Sequence, residues 1–390
     1  MTFPFFGGER GMVDARGANA GLALFSLLAS ALAALLFLCP NVSAGAPVFD
    51  GRNGPSLSEE SPVAPPSASS MSAVLSFGSR AVLDACWSSL ELQARPGEEK
   101  TQRAASLRAE PPARLSPVND PPHCPLTPEL RNSIRRVTPE AGRTPVALTF
   151  DLCETAKEIA GYDGAIIDYL RKNNVKATFF AGGKWMRSHP ERAMQLMADP
   201  LFEVGNHTWT HGNLRVLTGA GMENQILWTQ AQYELLREDL EARYLARNGD
   251  PLEMEKIPKV PLTFRFPFGT CSPEALETLA RLGLPAIQWD VVTGDPSGGQ
   301  TAEGIIRIVL SRTRPGSIVI CHANGRGHGT ARALPAFIPE LRARGYEFVT
   351  VSEILALGRA VAPPECYELE PGDNLRYDKL FGTGTGEPDR

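Results

Sequence analysis

The chain has 390 residues, with 39 Lys and Arg against 44 Asp and Glu for a net charge of −5, and its pI lies near 5.8. That balance leaves no basic face of the size that phosphate-backbone binding needs, which excludes nucleic acid as a partner. Seven cysteines occur without a CxxC pair, so neither a zinc ribbon nor a thioredoxin-type redox site is suggested.

The first element in the chain is an uncharged apolar run, GLALFSLLASALAALLFLC, which ends at Cys39 and follows Arg10 and Arg16. Residues 1–45 are therefore expected to enter a membrane. Val42, Ser43 and Ala44 form the small-residue pattern that signal peptidase cleaves after, while ~20 apolar residues also suffice to span a bilayer. A cleaved signal peptide and an N-terminal anchor both stay open. Either one exports the rest of the chain, as a periplasmic, secreted or membrane-anchored protein that touches the membrane only through this segment. Outside the cytoplasm Cys86, Cys124, Cys153, Cys271, Cys321 and Cys366 meet an oxidising environment.

Residues 46–145 run through PSLSEESPVAPPSASS and AEPPARLSPVNDPPHCP, a composition expected of a mostly disordered linker. Within it Val74–Ala94, carrying Leu83, Cys86 and Trp87, suggests one helix that docks on the following domain. Residues 146–357 form that domain, and 358–390 read as an irregular tail. From Val146 short apolar runs alternate with amphipathic stretches. Strands are predicted at Val146–Phe150, Ala177–Ala181, Phe202–Gly205, Thr263–Pro267, Ala286–Trp289, Ser317–Cys321 and Tyr346–Val351. Helices are predicted at Gly164–Asn173, Glu191–Ala198, Met222–Arg247, Ser272–Leu282, Ala302–Arg312 and Thr330–Arg344. Such alternation predicts an α/β fold, either a parallel barrel or a doubly wound sheet, with its site at the carboxyl ends of the strands.

Two residues stand at such ends: Asp151 directly after VALTF and His322 directly after SIVIC. A carboxylate and an imidazole facing one cleft can divide amide hydrolysis, one taking a proton from water and the other giving one to the leaving amine. A capping aspartate and a loop histidine is the plainer reading of each alone; their shared placement favours chemistry. His207 and His211 in NHTWTH lie four residues apart. An extended strand would hold them ~13 Å apart at ~3.3 Å per residue, whereas on a helical turn their Cβ atoms come within ~5–6 Å, close enough to share one zinc. Arg265 in TFRFPFG is costly to bury without a carboxylate, which Asp151 or Asp295 would supply. Asp295, in WDVVTGDPSG, could equally be a turn residue before Pro296.

Taken in order, TFD at Thr149–Asp151, HTWTH at His207–His211, RFPFG at Arg265–Gly269, the Asp295 segment and ICH at Ile320–His322 resemble the five motifs of the polysaccharide deacetylases, the NodB-homology group of carbohydrate esterases. The resemblance covers Val146–Leu357 and implies a distorted, incomplete (β/α) barrel of about seven strands. It implies Asp151 as general base, His322 as general acid and His207 and His211 as ligands of a divalent metal, with zinc expected. Arg265 would orient the base, Asp295 would tune the acid histidine and the arginine, and the Phe268 N–H would help hold the oxyanion. The implied partner is a polysaccharide such as peptidoglycan or another GlcNAc-containing glycan, which would lose N-acetyl or O-acetyl groups.

This chain departs from the pattern where the family usually reads TFDDG. It has TFDLCE, so Leu152 stands where the third metal ligand is normally an aspartate. Cys153, Glu154 or Asp151 itself would have to substitute. In the fourth motif Val292 and Pro296 replace the usual first acid and the tryptophan. Two readings of another class follow: a non-catalytic glycan-binding domain with a degenerate metal site, or an envelope scaffold tethered through the Pro-rich segment.

Overall fold

A computed structural model describes residues 77–106, 109–119 and 126–387. At its centre lies β1 (Pro145–Leu152), buried along its whole length, as a strand covered on both faces must be. Parallel neighbours on one side are β2 (Ala177–Ala181) and then β3 (Phe202–Asn206). Single parallel bridges continue from Asn206 to Phe264 and from Phe264 to Ala286, the first residue of β4 (Ala286–Ile287). On the other side, β6 (Ile318–His322) pairs with β1 and with β5 (Val291–Val292), while β7 (Glu347–Val349) joins the first residues of β1 on the edge it shares with β2. All seven predicted strand regions thus contribute to the sheet. Regular pairing gives out around Phe264, leaving an α/β sheet curled as an incomplete barrel rather than a closed one.

Alternation along β1 sets the two faces. Val146, Leu148, Phe150 and Leu152 join the outer core with Phe179, Val319 and Cys321. Helices cover that face: α2 (Gly164–Lys172) through Ile166, Ile167 and Leu170, and α3 (Thr330–Ala343) through Leu334, Phe337 and Ile338. Ala147, Phe180, Ile287, Trp289, Ile318 and Ile320 pack on the inner face. Because strand side chains alternate with period two, Asp151 follows Ala147 and His322 follows Ile318 and Ile320 onto that inner face. Both come to the carboxyl mouth, as the sequence predicts.

The expected linker needs correction over its described part. A helix, α1 (Arg80–Cys86), begins with the Ser79 side chain accepting from the Val82 N–H, and Val82, Leu83 and Cys86 are buried in the outer core. Further on, Gln102–Arg103 pairs antiparallel with Glu158–Ile159, and Arg136–Pro139 pairs with Gly358–Val361. The docked helix expected within Val74–Ala94 is thus present, and apolar residues at 77, 82, 83, 86 and 87 give it enough area to bury. The expected irregular tail is likewise ordered: it forms a strand at Gly358–Val361, a helix at Arg376–Phe381 and a disulfide between Cys366 and Cys271. The apolar run ending at Cys39 lies outside the described residues, as does Cys124. Among the described residues no helix is long and apolar enough to cross a membrane.

Candidate active site and metal centre

In the ladder between β1 and β6, His322 is the direct partner of Asp151. Adjacent strands run about 4.8 Å apart, so the carboxyl and imidazole rise side by side from the same face.

Each is held by a partner of opposite charge. Arg265 is fully buried and its Nη1 donates to Asp151 Oδ1 at 2.8 Å. The rest of the guanidinium is spent on scaffold: Nε donates to Ile287 O and Nη2 to Gln288 O, both at 3.2 Å, with the Phe180 ring centred 4.1 Å away. Of the two carboxylates expected for Arg265, only Asp151 meets it. Burial alone would raise the Asp151 pKa, but the Arg265 guanidinium, with His322 beside it, holds it below the ordinary carboxylate value.

Asp295 serves the other side. Its Oδ1 lies 2.9 Å from His322 Nδ1, and Oδ2 accepts from the His322 N–H and the Thr330 hydroxyl, both at 2.7 Å. Thr293 Oγ1 lies 3.1 Å from Oδ1. Facing a carboxylate, Nδ1 carries a proton and leaves Nε2 to the cleft. Burial would depress the His322 pKa, but Asp295 outweighs it and, with Asp151, lifts the ring above its ordinary value. The part of the expectation in which Asp295 also tunes Arg265 finds no contact.

Next to Asp151 lie the two histidines. His207 Nδ1 is 2.9 Å from Arg265 O, so it must be the protonated nitrogen, and Nε2 keeps its lone pair for another group. Nε2 is 3.5 Å from Asp151 Oδ2. Burial keeps His207 below its ordinary pKa, which makes this a contact of carboxylate with neutral imidazole rather than an ion pair. His211 is also held neutral, by burial first and then by its cationic neighbours. The rings approach to 5.2 Å between centroids, without the expected helical turn. A tight loop does it: Thr208 and His211 take φ of 65° and 62°, conformations that cost a non-glycine residue about 1–2 kcal/mol. Polar side chains fix that loop, with Asn206 Oδ1 accepting from the Thr208 N–H and Gln225 Oε1 from the Thr210 N–H, each at 2.9 Å.

Of the three substitutes considered for the missing aspartate, Asp151 lies 3.5 Å from His207 Nε2 and stays a candidate; the fold separates the other two. Leu152 is buried in the outer core. Glu154 is buried and committed elsewhere, accepting from Lys184, Ser188 and the Ala160 N–H. Cys153 is the one whose Sγ lies with the imidazole nitrogens of His207 and His211, the three ligand atoms all within 4.8 Å of one another. Ligands of a tetrahedral zinc stand about 3.3–3.6 Å apart, so these side chains would draw together on binding one. Asn324 Nδ2 donates to Cys153 Sγ at 3.1 Å and to Cys153 O at 2.8 Å. Burial pushes the Cys153 thiol up to about 12, so zinc would displace its proton; the resulting thiolate and two neutral imidazoles, one of them fixed by an outer hydrogen bond, make a donor set suited to zinc. Asn324, Thr330 and Thr293 escape the sequence reading; the proximity of Asn324 to His322 in CHAN is the one available signal.

The parallel-sheet mouth thus presents a carboxylate, an imidazole and a cluster of soft donors that could hold a cation. Comparison narrows the class. The polysaccharide deacetylase family profile matches residues 138–287. A chitooligosaccharide deacetylase of Azorhizobium caulinodans is 30% identical over 196 residues, covering 47% of this chain and 82% of its own length. The chain belongs to the polysaccharide deacetylase family. The peptidoglycan N-acetylglucosamine deacetylase PgdA of Listeria monocytogenes is 30% identical over 209 residues, 54% of this chain, which spans 38% of that relative's length. A solved peptidoglycan N-acetylglucosamine deacetylase aligns with a TM-score of 0.47 and 26% identity over 58% of this chain and 93% of its own.

Proposed function

We propose that this protein removes acetyl groups, N-linked in the first instance, from a GlcNAc-containing envelope or extracellular polysaccharide such as peptidoglycan. The observation that carries the reading is the Asp151–His322 pair, opposed in one ladder and backed by Arg265 and Asp295 respectively. Asp151, kept ionised, takes the proton from the attacking water. His322, kept protonated, gives its proton to the departing amine of the sugar. Arg265 fixes the orientation of the base and Asp295 that of the acid. The Phe268 N–H is the expected donor to the oxyanion. Cys153, His207 and His211 would hold a divalent cation, which when bound supplies Lewis-acid charge beside the acetyl carbonyl. An O-acetyl ester would pass through the same kind of intermediate.

The names of the relatives support a GlcNAc polymer as substrate. The apolar segment ending at Cys39 supports export, as a secreted, periplasmic or anchored protein. A glycan-binding role without catalysis is less well supported, since it has no use for a buried arginine on one carboxylate and a buried aspartate on one imidazole. The test is acetate release from N-acetylglucosamine oligomers and peptidoglycan fragments, measured as purified, after chelation and after zinc is restored. Release that stops with chelator and returns with zinc is expected. Release indifferent to chelation would overturn the metal role, and none from any acetylated glycan would leave the binding reading.

A further inference from the structure

The last described stretch, Cys366–Glu387, has no chemical part in the reading above, yet it crosses three of the loops that carry the site, those of Asp151, the two histidines and Arg265. On the loop after β1, the Ala156 N–H donates to Thr385 O at 2.8 Å. On the histidine loop, the Asn213 N–H donates to Thr383 O at 2.7 Å. Asn213 Nδ2 donates to Asp378 Oδ1 at 2.9 Å, and Arg215 reaches both oxygens of Asp378 at 2.8 and 3.0 Å. Gly384 sits at φ +74°, where a Cβ would stand 2.8 Å from His211 O and 2.7 Å from the Phe268 ring. Only glycine permits so close an approach.

On the turn after Arg265 the contact is aromatic. Phe381 stacks on Phe268 with centroids 4.7 Å apart and planes 13° from parallel, and Phe268 meets the His211 ring at 4.4 Å. Asn374 donates to Gly269 O, and Cys366 is bonded to Cys271 just beyond that turn. Both His211 and Phe268 hold left-handed backbones, at φ 62° and 59°, which persist only where the surroundings over-determine them. The strap provides those surroundings.

We propose that the strap is a positioning element of the metal centre, with Phe381 as the positioning residue that sets the His211 ring through Phe268 and the Cys271–Cys366 disulfide pinning the strap in place. This rests on the reading of Cys153, His207 and His211 as metal ligands. Phe381→Ala in the full chain is expected to weaken zinc binding about tenfold, the scale of a lost outer-shell support, as read by calorimetric titration. Phe381→Tyr should restore it. Leu380→Ala, at a neighbouring side chain that is 64% exposed, should bind as the parent does. Hydrogen exchange on metal-free protein is the independent readout: the Gly212 and Asn213 amides should exchange faster in Phe381→Ala. Should that variant fail to fold, the Cys271→Ala/Cys366→Ala pair repeats both measurements. A parent that takes up no zinc would sink the metal reading and leave exchange to decide the strap; unchanged exchange, or parental zinc affinity in both variants, overturns the strap's role.

Discussion

Asp151 and His322 are opposite one another in a single parallel ladder. What differs is the charge placed behind each. The carboxylate has a buried guanidinium at 2.8 Å, with neutral His207 to its side. The imidazole has a buried carboxylate at 2.9 Å, itself braced by Thr293 and Thr330. Burial acts on both in the direction of the neutral form, and in both the partner prevails: Asp151 is driven below its ordinary pKa and His322 above. Two groups a strand apart are thus forced into the charge states a base and an acid need at neutral pH. The site is made by its second layer as much as by the pair.

The comparison breaks most severely when a member of the pair is removed. Asp151→Asn and His322→Ala should each lower kcat/KM for acetate release by about 10²–10⁴-fold, the usual worth of a positioned acid or base. Groups acting on one proton path are not additive, so the double variant should fall little further than the worse single. Activity within a few-fold of the parent in His322→Ala would show that the amine takes its proton from elsewhere.

Removing the support behind the base comes next. Arg265→Met leaves Asp151 buried without its cation, and breaking a buried pair on one side costs about 3–5 kcal/mol, measurable by denaturant unfolding. Activity carries a signature that stability lacks. With the guanidinium gone, burial governs Asp151 and its pKa rises, so the acid limb of the pH–rate profile should move to higher pH. A destabilised variant whose acid limb stays put would make Arg265 a structural residue only.

Much of this was legible in the sequence because strand ends are legible: VALTF and SIVIC are apolar runs that stop at Asp151 and His322, and period-two alternation carries both onto one face. Arg265 was legible as a charge too costly to bury alone, though its choice of Asp151 over Asp295 depends on the curl of the sheet around Phe264. The third ligand was not decidable from TFDLCE, since the turn after β1 determines whether Cys153 or Glu154 faces the histidines; the buried Lys184 that claims Glu154 lies thirty residues on. Composition misled at both flanks. The apolar residues of Val74–Ala94 gave away the docked helix α1, but among the prolines nothing marked Gln102–Arg103 or Arg136–Pro139 as strands, and the tail's pairing with Cys271 lies across a separation of 95 residues that no local pattern reports.

The smallest expected effect sharpens the comparison most. Asp295→Asn keeps one oxygen for the Nδ1 proton of His322, so the tautomer survives while the negative charge goes; its NH2 takes the place of Oδ2, where the Thr330 hydroxyl can turn to accept but the His322 N–H loses its acceptor. His322 must be protonated to act as acid, and its raised pKa carries activity upward into alkaline solution. Without that charge burial wins, the pKa falls, and the alkaline limb should move to lower pH. The acid limb, set by Asp151, should stay nearly where it was. On the low-pH plateau the variant should work close to the parental rate, while above the shifted limb it loses about tenfold for each unit by which the pKa has dropped. An alkaline limb that does not move would detach it from His322, and the symmetry between the two halves of the site would then hold for structure but not for catalysis.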